Sequence, residues 1–290
     1  MRSTWRRRSV FAVSGGMSEH RLVGPEDEDY PAGLHDLEDP PILYVRGETT
    51  AAPAVAVVGT RRSTRYGMNL ATAFGNALSD VGWTTVSGLA RGIDAAAHRG
   101  TLRGDGEAVA VLGSGVDVIY PVENADLYRS ILDGRGAVMS EYPPGTRPDR
   151  WRFPARNRII AAIASAVVVV EAGEKGGALI TARLAAELGR PVLVVPGDVD
   201  RPASMGCNRL IRDGAHPVLG VDDLIAELEL ILGAPPHPPM GIGSEIPPTG
   251  LAIDDLPAAW GCSPADALAR LARMEIAGHV RRAGDLVMPN

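Results

Sequence analysis

Residues 54–88 read AVAVVGTRRSTRYGMNLATAFGNALSDVGWTTVSG, and the spacing of their apolar positions decides the fold. The two ends, AVAVVG (54–59) and TTVSG (84–88), are near-continuous β-branched runs of strand length, the pattern of strands buried on both faces. Between them, YGMNLATAFGNALSDVG repeats an apolar side chain every three to four positions, as one face of a helix does. The pattern then recurs. AVAVLG (108–113), AVMSEY (137–142), AVVVVEA (166–172) and PVLVVPG (191–197) read as further strands, with GIDAAAHRGTL, ARNRIIAAIAS and ALITARLAAELG as helices among them. Strand alternating with helix predicts an α/β chain with a mainly parallel sheet and covering helices.

The bulk properties fit that expectation. The 290 residues are 45% hydrophobic and 22% charged, with a formal net charge of −6. The longest apolar run, IIAAIASAVVVV (159–170), is too short for a bilayer and is bounded by Arg158 and Glu171. The N-terminal VFAV is far short of a signal-peptide core, so the expected location is cytoplasmic, with no membrane contact. Cys207 and Cys262 stand far apart without ligand spacing, and the six histidines form no HxxxH or HxH pair. Free thiols, no metal and no cofactor are expected.

Residues 1–29 lack apolar periodicity and read as a loosely ordered tail. Residues 30–232 carry the sheet. GAPPHPPMGIGSEIPPTG (233–250), dense in Pro and Gly, reads as a linker. Residues 251–290 hold a short helix, then Ser263-Pro264 opening a helix to about Ala277, then a VRR-AGD-LVM hairpin. Helix, turn, helix and wing resemble a winged-helix domain.

In open parallel sheets, ligands collect beyond the carboxyl ends of the strands. Here those segments are glycine-rich. Gly59-Thr60-Arg61-Arg62-Ser63, Ser87-Gly88-Leu89-Ala90-Arg91-Gly92, Gly113-Ser114-Gly115 and Glu171-Ala172-Gly173-Glu174-Lys175-Gly176-Gly177 each follow a strand. Glycine admits a close backbone approach, and a following helix start offers free N–H groups to phosphate. Tight βα turns call for glycine on their own account too. GTRRSTRYG is not a dinucleotide fingerprint, and no GxxxxGK[ST] occurs, which speaks against a nucleoside triphosphatase.

RPDRWRFPARNR (147–158) sets five arginines and two aromatics against one acid, just before a helix expected to begin near Ala155. Arginine beside aromatic side chains suits a single strand, whose phosphates need cations and whose unpaired bases offer stacking faces. The alternative is that Trp151 and Phe153 anchor a loop and the arginines are a solvated face. Asp94, Asp117, Glu141 and Glu171 near strand ends have no nucleophile, metal set or general base at a recognised spacing. Helix capping, turns or bonds to arginine account for them. Ser87, Ser114 and Ser140 lie in no GxSxG elbow.

VAVVGTRRSTRYG, TTVSGLARGIDAAAHRGTL, AVLGSGVDVIYPVENADLY, VMSEYPPGT, FPARNRIIAAIA, VVVVEAGEKGGALITARLA and GCNRLIRDGA, in that order, closely resemble the DNA-processing protein A family (DprA/Smf). YPAGLHDLEDPPILYVRG looks like that family's lead-in to an extended Rossmann-like domain, so the resemblance spans about Tyr30 to Leu219. It implies a protein that is not an enzyme: a homodimer that binds incoming single-stranded DNA, protects it, and loads RecA recombinase during natural transformation. The DNA contacts it implies fall at Arg61, Arg62, Ser87, Gly88, Arg91, Arg150, Phe153, Arg156, Asn157, Lys175, Gly176 and Gly177. Two departures stand out. Gly176-Gly177-Ala178 replaces the family's usual Ser-Gly-Ser, removing hydroxyls from that loop, and the residues before Tyr30 are too few and too polar for the small helical domain many members carry there. Two other readings remain open: a nucleotide phosphoribohydrolase of the lysine-decarboxylase-like type, although its PGGxGTxxE signature is absent, and a winged-helix transcription regulator, although Arg270 and Arg273 are few for a recognition helix.

Overall fold

A computed structural model describes residues 20–48, 53–104, 106–235, 246–247, 249–260, 263–264, 267–268, 271–272, 275 and 280–289. The chain divides into two compact units, Met1–Pro236 and His237–Asn290. Among the described residues, no helix is long and apolar enough to cross a membrane.

The larger unit is built on a nine-stranded sheet. In chain order its strands are β1 (Arg21–Val23), β2 (Leu43–Gly47), β3 (Ala54–Val58), β4 (Thr84–Ser87), β5 (Ala108–Val111), β6 (Gly136–Ser140), β7 (Ala166–Val169), β8 (Val192–Val194) and β9 (His216–Pro217). In space they run β1-β2-β6-β5-β4-β3-β7-β8-β9. The seven strands from β6 to β9 pair in parallel, and β2 and β1 close one edge antiparallel. The mainly parallel α/β fold read from the sequence is the fold observed.

Burial on both faces explains the β-branched composition. Alternate residues of β3 serve opposite cores. Ala54, Ala56 and Val58 pack with Ile159 and Ile160 of α4 (Arg152–Ile163) and Ala182 and Ala185 of α5 (Gly177–Glu187). Val55 and Val57 pack instead with Phe74 and Leu78 of α1 (Arg65–Asp80), Ala97 of α2 (Ile93–Thr101) and Leu224 of α7 (Val221–Leu232). The strand order reverses direction at β3, with β4 on one side and β7 on the other, and at such a point the turns leaving neighbouring strands diverge and open a crevice.

Three local differences from the sequence reading have physical causes. Arg21–Val23, expected in the tail, forms edge strand β1 against Val45, Tyr44 and Leu43, which satisfies the free edge of β2; residues 1–19 lie outside the described residues. Helix α4 begins at Arg152, three residues earlier than expected. Pro154 is no obstacle there, because the first four N–H groups of a helix have no intrahelical acceptor to lose. Finally, α3 (Ala125–Asp133) and α6 (Met205–Arg212) are additional short helices.

In the second unit, β11 (Val280–Ala283) and β12 (Leu286–Pro289) form the expected hairpin. A further strand, β10 (Leu251–Ala252), adds to β12, and α8 (Leu256–Ala259) contributes Leu256 to a small core with Leu271, Val280 and Val287. The helix expected over 263–277 falls largely outside the described residues.

Candidate nucleic-acid cleft

A cleft of about 920 Å³ opens at the reversal point, between the β3–α1 turn, the first turn of α4 and the β7–α5 turn. Eight of the positions implied by the resemblance line it: Arg61, Arg150, Phe153, Arg156, Asn157, Lys175, Gly176 and Gly177. They come from three separate segments, around residue 61, 150–157 and 175–177, gathered because all three leave the same end of the sheet.

The centre of the wall is the Phe153 ring. The Arg61 guanidinium carbon stands 4.8 Å from the ring centroid, a cation–π geometry, and the Tyr120 ring stacks at 5.3 Å with 30° between planes. Starting α4 at Arg152 places Phe153 in its first helical turn, so a rigid element carries the ring. Trp151, by contrast, is exposed and lies off the cleft, its Nε1–H donating to Asp149 and Arg152 standing over its ring.

Three of the cations on the wall stand without an ion pair. Among the described residues, Arg61, Arg150 and Lys175 form no ion pair, while Glu174, the exposed acid of the lining, is 3.7 Å from Arg209. Lys175 is the only lysine in the chain. Helix α5 starts at Gly177 with no side-chain cap at Gly176, so its first N–H groups stay available at the cleft.

Beneath the wall lies a buried polar layer. Arg156 is 3% exposed; its Nη1 donates to the carbonyl of Gly88 at 3.1 Å and to that of Val111, and its Nε donates to Asn157 Oδ1 at 3.2 Å. Burial lowers the guanidinium pKa to about 10, while the nearby Asp94 carboxylate favours its charge. Asp94 accepts from the N–H of Gly88 at 3.1 Å and of Ala90 at 3.4 Å; burial raises its pKa, opposed by Arg156 and by those two N–H groups. Asn157 donates to the Gly177 carbonyl at 3.1 Å and so ties α4 to the β7–α5 turn. Glu171 accepts from the Thr64 N–H at 2.9 Å and its hydroxyl at 2.5 Å, fixing the start of α1.

The other strand-end acids are also engaged: Asp117 accepts from the Gly145 N–H at 2.7 Å, and one oxygen of Glu141 is 2.7 Å from Arg158. Turn formation, helix anchoring and ion pairing thus account for all four carboxylates. Among the described residues, no three His, Cys, Asp or Glu side chains gather as a metal-binding group. Cys207 is buried, its thiol pushed up to about 11 by burial, and Cys262 lies outside the described residues.

Four implied positions lie off the cleft lining. Ser87 is fully buried, its hydroxyl donating to the Val57 carbonyl at 2.7 Å, which takes it out of reach of a ligand. Gly88 is buried beneath Arg156 and Asp94. Arg91 turns to Glu123 in an exposed ion pair, and Arg62 is exposed on the β3–α1 turn outside the lining. Arg156 lines the cleft from below, and its guanidinium is committed to main-chain carbonyls, which makes it a brace for the loops rather than a free cation. Tyr120 is the residue that sequence reasoning passed over: it lies in a loop 33 positions from Phe153, and its one signal was an aromatic following the β5 strand end.

A model of the family described as DNA recombination-mediator protein A matches residues 21–229. Protein Smf of Synechocystis is 44% identical over 218 residues, covering 73% of this chain and 54% of its own length, so the chain spans little more than half of that relative. The crystal structure of DNA processing protein A from Streptococcus pneumoniae superposes with a TM-score of 0.68 at 39% identity, over 72% of this chain and 74% of that one. DNA processing protein A from Helicobacter pylori, whose structure was described for its single-stranded DNA binding mode, superposes with a TM-score of 0.64 at 30% identity, over 71% and 95% of the two chains. The chain belongs to the DNA recombination-mediator protein A family.

Proposed function

We propose that this chain is a recombination mediator that binds single-stranded DNA in the cleft described above. Phosphates are held by Arg61, Arg150, Lys175 and the first N–H groups of α5, while a base stacks in the aromatic region around Phe153. The observation that carries this reading is the set of unpaired cations around an aromatic side chain, in a chain whose overall charge is negative. Duplex DNA offers phosphates but no open base faces, so this combination favours the unpaired strand. The Gly176-Gly177-Ala178 departure is compatible with it, because main-chain N–H groups can replace the missing hydroxyls.

A binding role without catalysis is supported by the strand-end carboxylates, each engaged in a turn, an anchor or an ion pair. Protection of incoming DNA, transfer to RecA recombinase, a homodimeric assembly and a winged-helix C-terminal unit are what the resemblance implies and belong to the same proposal. The test is a gel-shift comparison of single-stranded with duplex DNA at two salt concentrations, using the parent and Phe153→Ala. Preferential binding of the single strand, weakened in the variant at unchanged thermal stability, is expected; equal affinity for both DNA forms removes the reading.

A further inference from the structure

We infer that Tyr120 is a second base-stacking position of this cleft, taking the base next to the one held at Phe153; the inference rests on the single-strand reading above. The Tyr120 ring lines the cleft, is 40% exposed, and lies in stacked geometry against Phe153. An open aromatic face beside a line of cations is what an unpaired base needs, and every base has a face to offer it.

Two features make it a platform rather than a loose surface ring. The loop that carries it is pinned from both ends: the Ser114 hydroxyl donates to the Val118 carbonyl at 2.8 Å, and Asn124 Nδ2 donates to the Leu89 carbonyl at 2.9 Å. The phenol hydroxyl makes no hydrogen bond among the described residues, so neither the loop nor the ring position depends on it. Phe153 meanwhile is shared between the Arg61 guanidinium and Tyr120. A base that stacks on Phe153 therefore meets one of these neighbours, and the ring left facing solvent for the next base is Tyr120.

The experiment measures affinity for an oligothymidylate and for an abasic strand of equal length, with Tyr120→Phe, Tyr120→Leu and Tyr120→Ala. The Leu variant keeps apolar bulk against Phe153 while removing the π face. Loss of one stacked base predicts roughly five- to 150-fold weaker binding of the base-bearing strand by the Leu and Ala variants. Their abasic-strand affinity and thermal midpoint should match the parent, and Tyr120→Phe should bind as the parent does. Equal losses on both strands would make Tyr120 a structural prop for Phe153, and parent-like affinity of the Leu variant would assign the effect to bulk; either overturns the inference alone. A parent protein that binds neither strand overturns it together with the site.

Discussion

The two sides of the cleft look alike in sequence and differ in physical cause. On the β3 and β4 side, glycine is demanded by the protein itself. A Cβ on Gly59 would run into Ile93 and the Glu171 carbonyl, one on Gly88 into the Arg156 guanidinium and the Asp94 carboxylate, and Gly92 has φ of +78°. On the β7–α5 side the protein makes no such demand. No atom stands within 4 Å of a Cβ on Gly176, whose φ of 166° is extended backbone, and the nearest neighbour at Gly177 is Asn157 Nδ2 at 3.5 Å. Glycine-rich strand ends are thus packing devices on one side of the cleft, while on the other they leave a helix start bare toward the cavity.

The sharpest way to break this contrast is to remove the brace under the packed side. Arg156→Ala strips the buried Asp94 carboxylate of its charge partner and takes the donor from the Gly88 and Val111 carbonyls, which should cost about 3–5 kcal/mol of stability in a denaturant titration. If the variant is as stable as the parent and only DNA affinity falls, Arg156 is a direct contact and the brace is wrong.

Next comes acid. His98 on α2 is fully buried, and neither ring nitrogen has a hydrogen-bond partner among the described residues; burial first, then Arg156 and Arg99, lowers its pKa to about 3. A folded-state pKa below the unfolded value means the unfolded chain takes up the proton first. The stability contribution is therefore intact above pH 6.5 and is lost as pH falls toward 3. From pH 6.5 to 4.5 this amounts to about 2 kcal/mol. Asp94, with its raised pKa, acts in the opposite sense, so the readout is the parent against His98→Asn, whose stability curve should be flatter. Parallel curves would show that His98 does not carry the acid sensitivity.

Smaller effects test the glycines directly. Gly88→Ala should destabilise by about 1–3 kcal/mol through overpacking. Gly177→Ala should instead raise stability by about 0.4–1 kcal/mol, since alanine fits there and restricts the unfolded chain, while weakening the grip on a single strand at the α5 start. Loss of stability in Gly177→Ala, or parent-like stability in Gly88→Ala, would erase the distinction between the two sides.

Much of this was legible in the sequence because double burial leaves a strong mark. The runs of β3 to β8 are unbroken by charge, and the turns after them announce the ligand end of the sheet. Edge strands β1 and β9, of three and two residues, bury too little to show a pattern, and α3 and α6, of nine and eight residues, offer few helical repeats. Arg61, Arg150, Phe153 and Lys175, singled out by glycine-rich turns after strand ends and by arginine beside an aromatic, all line the cleft. Arg156 differs from its neighbouring arginines in being buried against main-chain carbonyls, a direction that counting arginines does not reveal. The helical register held the missing signal: Arg156 sits one turn before Ile160, on the face of α4 that is buried. Tyr120 required the fold, since only the sheet brings the β5 loop to Phe153.

The central claim is that unpaired cations on this wall hold the phosphates of a single strand. Affinity for an oligothymidylate measured across a series of salt concentrations, for the parent and for Arg61→Ala combined with Arg150→Ala, tests it most directly. The log–log slope should be shallower by about 1.4 in the double variant, at roughly 0.7 per phosphate contact, with the thermal midpoint unchanged. An unaltered slope would contradict the account.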